Sequence, residues 1–132
     1  MDDRRLKTVI REVRRMHGRK YAEAAYFFVL EALDYTLFLL GKTKAQGDER
    51  HVDGGALMEG VRKYAQEEFG PLALYAFHSW GIQETDDFGD IVFQMCDIGL
   101  LNKRPSDCME DFHAIFDFSE VFAGVDEGLS GA

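Results

Sequence analysis

The stretch Trp80-Gly81-Ile82-Gln83-Glu84-Thr85-Asp86-Asp87-Phe88-Gly89-Asp90-Ile91-Val92-Phe93-Gln94-Met95-Cys96-Asp97-Ile98-Gly99-Leu100-Leu101 constrains the fold more than any other. It holds the single Trp and is framed by Gly81 and Gly99. Phe88, Ile91, Val92 and Met95 recur at the offsets of one helical face, which predicts an amphipathic helix over 86–98. Thr85 is the expected N-cap, because its hydroxyl can accept from the backbone N–H groups that a first turn leaves free. Asp86 and Asp87 then fall in that first turn, where negative charge suits the positive end of the helix dipole. Gly99 ends the helix, and Leu100-Leu101 leaves it as a short apolar strand.

The same punctuation divides the rest of the chain. Over 3–17, Leu6, Val9, Ile10, Val13 and Met16 share one stripe and Arg4, Lys7, Arg11, Arg14 and Arg15 the opposite one, with Gly18 as the stop. A longer helix is predicted over 20–40, rich in Ala and Leu and closed by Gly41. Its apolar residues wrap nearly the whole circumference, so it is expected to be buried centrally or to meet a second subunit as well. Residues 41–53 read as a mobile polar loop. Asp53 is expected to cap a helix over 54–69, and Gly70-Pro71 separates it from a short helix over 71–80. Asp107 to Glu110 has capping-box spacing for one brief turn. Phe112, Ala114, Phe116 and Phe118 then alternate with His113, Ile115 and Asp117, a period near two that predicts a strand. Ser119 is the expected cap of a last turn ending at Gly124, and 125–132 reads as a flexible tail. The expected fold is therefore mainly α (α+β at most): one α-rich domain over 1–124 with a minor two-stranded element.

Charge is divided unevenly. The chain carries −9 overall, yet residues 1–20 hold eight Lys or Arg against three acids, giving +5, and residues 21–132 carry −14. The basic helix can lie on the acidic body, or face a nucleic acid or an acidic partner. Cys96 and Cys108 form neither a disulfide framework nor a metal-ligand spacing. The apolar run of a signal peptide is missing from the start, and Glu23, Glu31 and Asp34 would each cost a few kcal/mol in lipid. A cytoplasmic location without a membrane span is expected.

Few residues point to chemistry. Asp86-Asp87-Phe88-Gly89-Asp90 matches the DDxxD string with which prenyl-transferring enzymes hold magnesium diphosphate, but those enzymes need a second acidic helix and about twice this length of chain. Glu31 and Asp34 share a helix face without a His to complete a metal site. His78 reads as a packed or half-exposed histidine. Gly41-Lys42-Thr43 lacks the first glycine and the preceding strand of a phosphate-binding loop. No cofactor and no bound metal are expected.

The order of elements over 71–118, with a helix, a turn at Gly81-Ile82, a second helix, Gly99-Leu100-Leu101, a turn-rich segment and a strand-like run, resembles a winged helix-turn-helix. That resemblance implies DNA reading by the helix at 86–98, where Asp86, Asp87 and Asp90 would repel the phosphate backbone; such modules also bind proteins. Over nearly the whole chain, Tyr26-x3-Leu30-Glu31-Ala32-Leu33-x-Tyr35, His51-Val52, Phe69-Gly70-Pro71, Trp80-Gly81-Ile82, Asp87-Phe88-Gly89-x-Ile91-Val92-Phe93, Gly99-Leu100-Leu101 and Asp111-Phe112 resemble a small uncharacterised bacterial protein family of about this length. The resemblance implies no activity, cofactor or catalytic residue. In that family the helix after His-Val opens with a full capping box, whereas Ala56 here replaces the reciprocal Glu.

These readings together predict a non-catalytic cytoplasmic protein-interaction or regulatory module, with a protein partner or a homo-oligomer formed through residues 20–40. The alternative is nucleic-acid binding through Arg4, Lys7, Arg11, Arg14 and Arg15. A weaker one is a metal-dependent enzyme using Asp86, Asp87 and Asp90.

Overall fold

A computed structural model of the chain describes residues 3–122. It is mainly helical: α1 (Asp3–Met16), α2 (Glu23–Leu39), α3 (Gly54–Phe69), α4 (Ala73–Ser79), α5 (Thr85–Asp97) and α6 (Phe118–Phe122) are joined by short 3₁₀ turns at Gly47–Arg50, Gly70–Leu72 and Met109–Phe112. The predicted stop at Gly124 and the tail at 125–132 lie outside the described residues.

Helix α2 is the spine, touching α1, α3 and α5. It packs most closely on α3, and Gly60 is what allows this. A Cβ there would sit 1.7 Å from Thr36 Oγ1, whose hydroxyl donates back to the Ala32 carbonyl at 2.7 Å. Ala25, Tyr26, Phe28, Val29, Ala32, Thr36 and Leu37 are buried on α2. The burial covers most of the circumference and leaves one strip open.

Ten of the eleven Phe are buried or half-buried and fill the interior; Phe38 is exposed. Phe77 of α4 is its hub, with ring centroids 5.2 Å from Phe88, 5.2 Å from Phe118, 5.4 Å from Phe122 and 5.5 Å from Phe28. Offset and edge-on aromatic pairs of this kind contribute about 0.5–1.5 kcal/mol each beyond the area they bury. Phe112 wedges between α3 and α5, against two glycines. A Cβ on Gly54 or Gly89 would approach Asp111 Cβ or the Phe112 ring within 2.8 Å. Those small residues admit the 109–122 segment to the core.

Four local expectations change. Among the described residues there is no strand, so neither the two-stranded element nor the alternation over 112–118 takes that form. The alternating residues instead form the end of a 3₁₀ turn, a reversed backbone at Ala114 (φ 48) and the start of α6. Phe112, Phe118 and Phe122 are all buried, so the run serves one aromatic core by turning into it. The N-cap of α5 is Glu84, one residue before Thr85, and Asp87 completes the capping box. At the 3₁₀ turn the box runs from Cys108 to Asp111, one residue later than the Asp107–Glu110 spacing suggests. Asp107 is occupied instead in accepting the Arg104 N–H at 2.7 Å. Asp117, in place of Ser119, caps α6 by accepting from the Ser119 and Glu120 amides. Asp53 does cap α3, accepting from Ala56 N at 2.8 Å.

Candidate functional site

The acidic run at the start of α5 is divided by the helix. Asp87 is only 5% exposed. Its Oδ2 accepts from the Gln83 and Glu84 amides at 2.7 and 3.1 Å, and its Oδ1 from the Tyr21 hydroxyl at 2.7 Å and Lys20 Nζ at 3.3 Å. Burial pushes its carboxyl up, yet the Tyr21 hydroxyl, the two amides and Lys20 outweigh that and hold it below the usual range. Asp90 lies on the same side, 2.7 Å from the Tyr21 hydroxyl. That hydroxyl has one proton for two carboxylates, so it serves one of them at a time. Burial and these two neighbours raise the Tyr21 phenol, which stays protonated. Asp87 is thus the joint that ties the α1–α2 turn to α5, a larger role than dipole partner.

Asp86 turns the other way. Its carboxylate meets His113 Nδ1 at 2.8 Å and accepts the Ala114 N–H at 3.3 Å. Beside it, the Thr85 hydroxyl donates to the Phe112 carbonyl at 2.6 Å and accepts from Ile115 N at 3.1 Å. Together these bonds pin the positive φ of Ala114, a conformation that costs a non-glycine residue about 1–2 kcal/mol. Donating a hydrogen bond to the Asp86 carboxylate holds His113 above its ordinary value, and accepting it holds Asp86 below its own. A groove of about 410 Å³ lies alongside, with His78, Glu84, Asp86, His113, Asp117 and Ser119 among its walls. Asp86 and Asp117 are already engaged with backbone or with His113, and Glu84 is part of a capping box. Among the described residues no group of three or more His, Cys, Asp or Glu is arranged to hold a metal ion. Glu31 is also engaged, accepting from the Tyr64 hydroxyl at 2.6 Å.

The basic residues divide in the same way. Arg14 is half-buried and donates through Nε to the Tyr21 carbonyl at 2.7 Å, so it leaves the outward stripe to which its spacing assigns it. Arg11 reaches Glu23 at 3.0 Å, and Arg15 pairs with Glu12 one turn back. Arg4 and Lys7 are exposed, without a side-chain partner among the described residues. Met16, expected on the buried stripe, is exposed.

The open strip of α2 adds a feature that helical periodicity alone does not locate. Phe38, Leu39 and Leu40 are 69%, 44% and 47% exposed. Glu31 and Asp34 are exposed on the same face as Phe38, two turns and one turn earlier, while Leu39 and Leu40 flank it at the helix end. The wrap-round apolar pattern of 20–40 contains this signal, but only tertiary packing decides which side stays uncovered. Tyr21 and His113 carried no local signal, because their partners lie 66 and 27 residues away. No described helix is long and apolar enough to cross a membrane. No family model, curated protein or solved structure matches this chain.

Proposed function

We propose that this protein is a non-catalytic interaction module that pairs with a second copy of itself through α2 and the neighbouring face of α1. The observation that carries the reading is the end of α2, where Phe38, Leu39 and the C-cap Leu40 form the one run of three consecutive exposed large apolar residues among the described residues. Contiguous exposed apolar surface of this kind marks interaction sites on soluble domains. Charge selects a second copy as the occupant. Arg4 and Lys7 on α1 and Glu31 and Asp34 on α2 are outward charges of opposite sign on two helices that pack together. A two-fold axis between them sets each copy's basic stripe over the other's acidic strip, the self-complementarity that an isologous interface requires.

Sedimentation velocity over a concentration series tests this. The expected result is a monomer–dimer equilibrium that weakens between about 0.05 M and about 0.5 M salt, where screening shortens from roughly 13 Å to a few Å. A monomer at every concentration and salt would remove the reading.

Nucleic-acid binding through α1 is the second reading, and Arg4 and Lys7 are what favour it. Arg11, Arg14 and Arg15 already serve Glu23, the Tyr21 carbonyl and Glu12. Duplex DNA affinity is accordingly expected to be no tighter than ~10⁻⁵ M at physiological salt, within the range of non-specific contact. Fluorescence anisotropy with a labelled duplex measures it, and sub-micromolar binding lost in Arg4→Glu, Lys7→Glu would transfer the protein to that class.

A further inference from the structure

The acidic body conceals a local gathering of cations. Residues 21–132 contain seven Lys or Arg, and five of them (Lys42, Lys44, Arg50, Lys103 and Arg104) lie, with the acids Asp48, Glu49, Asp53 and Asp107, in two connections far apart in sequence. The other two, Arg62 and Lys63, are taken up by Glu59 on α3. The fold brings the two connections together: Arg104 Nη2 donates to the Asp48 carbonyl, and His51 Nε2 lies 3.2 Å from Asp107. Between them is a pocket of about 340 Å³ whose walls include Lys42, Arg104, His51, Asp53 and Ala56, closed on one side by the apolar Leu40 and Val52. That volume falls in the range of small-molecule sites.

We propose that this pocket binds a small phosphate-bearing anion, of the size of a phosphate monoester. The argument rests on donors. An ammonium has three N–H groups and a guanidinium five. Lys42 spends one on the His51 carbonyl at 3.1 Å, and Arg104 donates from Nη2 to Asp48; neither side chain has another protein partner among the described residues. The spare donors of both border one cavity, where a phosphate can accept charge-assisted hydrogen bonds from two sides. Of the carboxylates nearby, Asp53 accepts from the Ala56 amide, and Asp107 accepts from the Arg104 amide and lies beside His51; Asp48 and Glu49 are not among the pocket's walls. The first turn of α3 is thereby filled by Asp53 and contributes nothing to the site. Leu40 and Val52 supply an apolar wall for the organic part of the ligand.

Titration calorimetry with inorganic phosphate and then pyrophosphate, against sodium chloride at matched ionic strength, tests the site on the full chain. One-to-one binding is expected, weakened by roughly tenfold or more in Lys42→Gln, Arg104→Gln. It should be unchanged in Arg4→Gln, Lys7→Gln, which removes the outward charges of α1. Because Lys42 and Arg104 also brace the loops, Ala56→Glu provides a second arm that leaves them untouched. It adds the reciprocal acid of the α3 capping box, so it should preserve or raise the melting temperature, while a second carboxylate beside Asp53 in the pocket wall should weaken phosphate binding by roughly tenfold or more through added negative charge. Absence of binding in the parent chain overturns the proposal. So does binding that survives both pocket variants or is lost in the α1 variant.

Discussion

The start of α5 and the outward faces of α1 and α2 carry comparable charge and meet opposite fates. At α5, each acid finds a partner that the fold delivers from elsewhere: Tyr21 and Lys20 for Asp87, Tyr21 for Asp90, His113 for Asp86. On the outer faces, Arg4, Lys7 and Asp34 remain in solvent. The difference lies in depth and convergence. Three segments meet where α5 begins, and a carboxylate there can replace water with four donors. A helix face with no neighbouring element offers no such replacement, so its charge stays available to another molecule. A run of acids is therefore structural where it knits segments, and a sparser stripe is the better candidate for recognition.

The comparison predicts a ranking of effects. Asp87→Ala should be the most damaging, costing about 3 kcal/mol, because the Gln83 and Glu84 amides and Lys20 lose a buried charged acceptor and the Tyr21 hydroxyl is left with Asp90 alone. Chemical denaturation measures it, and a loss below ~0.5 kcal/mol would return Asp87 to the role of a surface dipole partner. Tyr21→Phe should follow, at about 1–3 kcal/mol, since it strips one donor from a buried carboxylate. Ala114→Gly should act in the opposite direction, stabilising by up to ~1 kcal/mol through relief of a positive φ. The smallest effect belongs to the exposed Asp86–His113 contact and depends on pH. A raised histidine contributes stability that is complete below its unfolded value and fades as pH rises through the folded one. A lowered carboxylate contributes stability that is lost as pH falls through its folded value. The contact therefore operates from below 3.8, the ordinary value for Asp86, to above 6.5, the ordinary value for His113. Melting curves of the parent and His113→Gln should differ slightly at about pH 5.5 and converge by about pH 8.5. An equal difference at both pH values would remove the ion pair from the explanation.

Helix placement was legible because periodicity and glycine stops act locally. The bounds of α3, Gly54–Phe69, agree with its predicted span, and Asp53 caps it as expected. The caps of α5 and of the turn at Met109–Phe112 are each displaced by one residue, because adjacent polar residues compete for the same amides and tertiary partners decide between them. Thr85 is drawn away by Phe112 and Ile115, leaving the cap to Glu84 and Asp87. The run over 112–118 alternates like a strand but lacks a neighbouring strand among the described residues; Phe118 and Phe122 gain more by reaching Phe77, and Phe112 by packing on Phe93. The site was less legible than the fold. The identity of Asp86, Asp87 and Asp90 was plain, but whether they converge on a ligand or disperse to the protein depended on Tyr21 and His113, distant in sequence. The uncovered strip of α2 was hidden by the uniform apolarity of 20–40.

A charge-swap mixture tests the proposed pairing most directly. One variant carries Arg4→Glu, Lys7→Glu and the other Glu31→Lys, Asp34→Lys; all four positions are exposed, and the second loses only the exposed Tyr64–Glu31 hydrogen bond, so both should retain the parent's melting temperature within a few degrees. Each variant alone would set like charges across both halves of a two-fold interface, and each should sediment as a monomer. Mixed in equal amounts they restore opposite charges in both halves, so the account predicts a heterodimer by sedimentation velocity. A mixture that remains monomeric while the parent chain dimerises, or either variant dimerising alone, would contradict it.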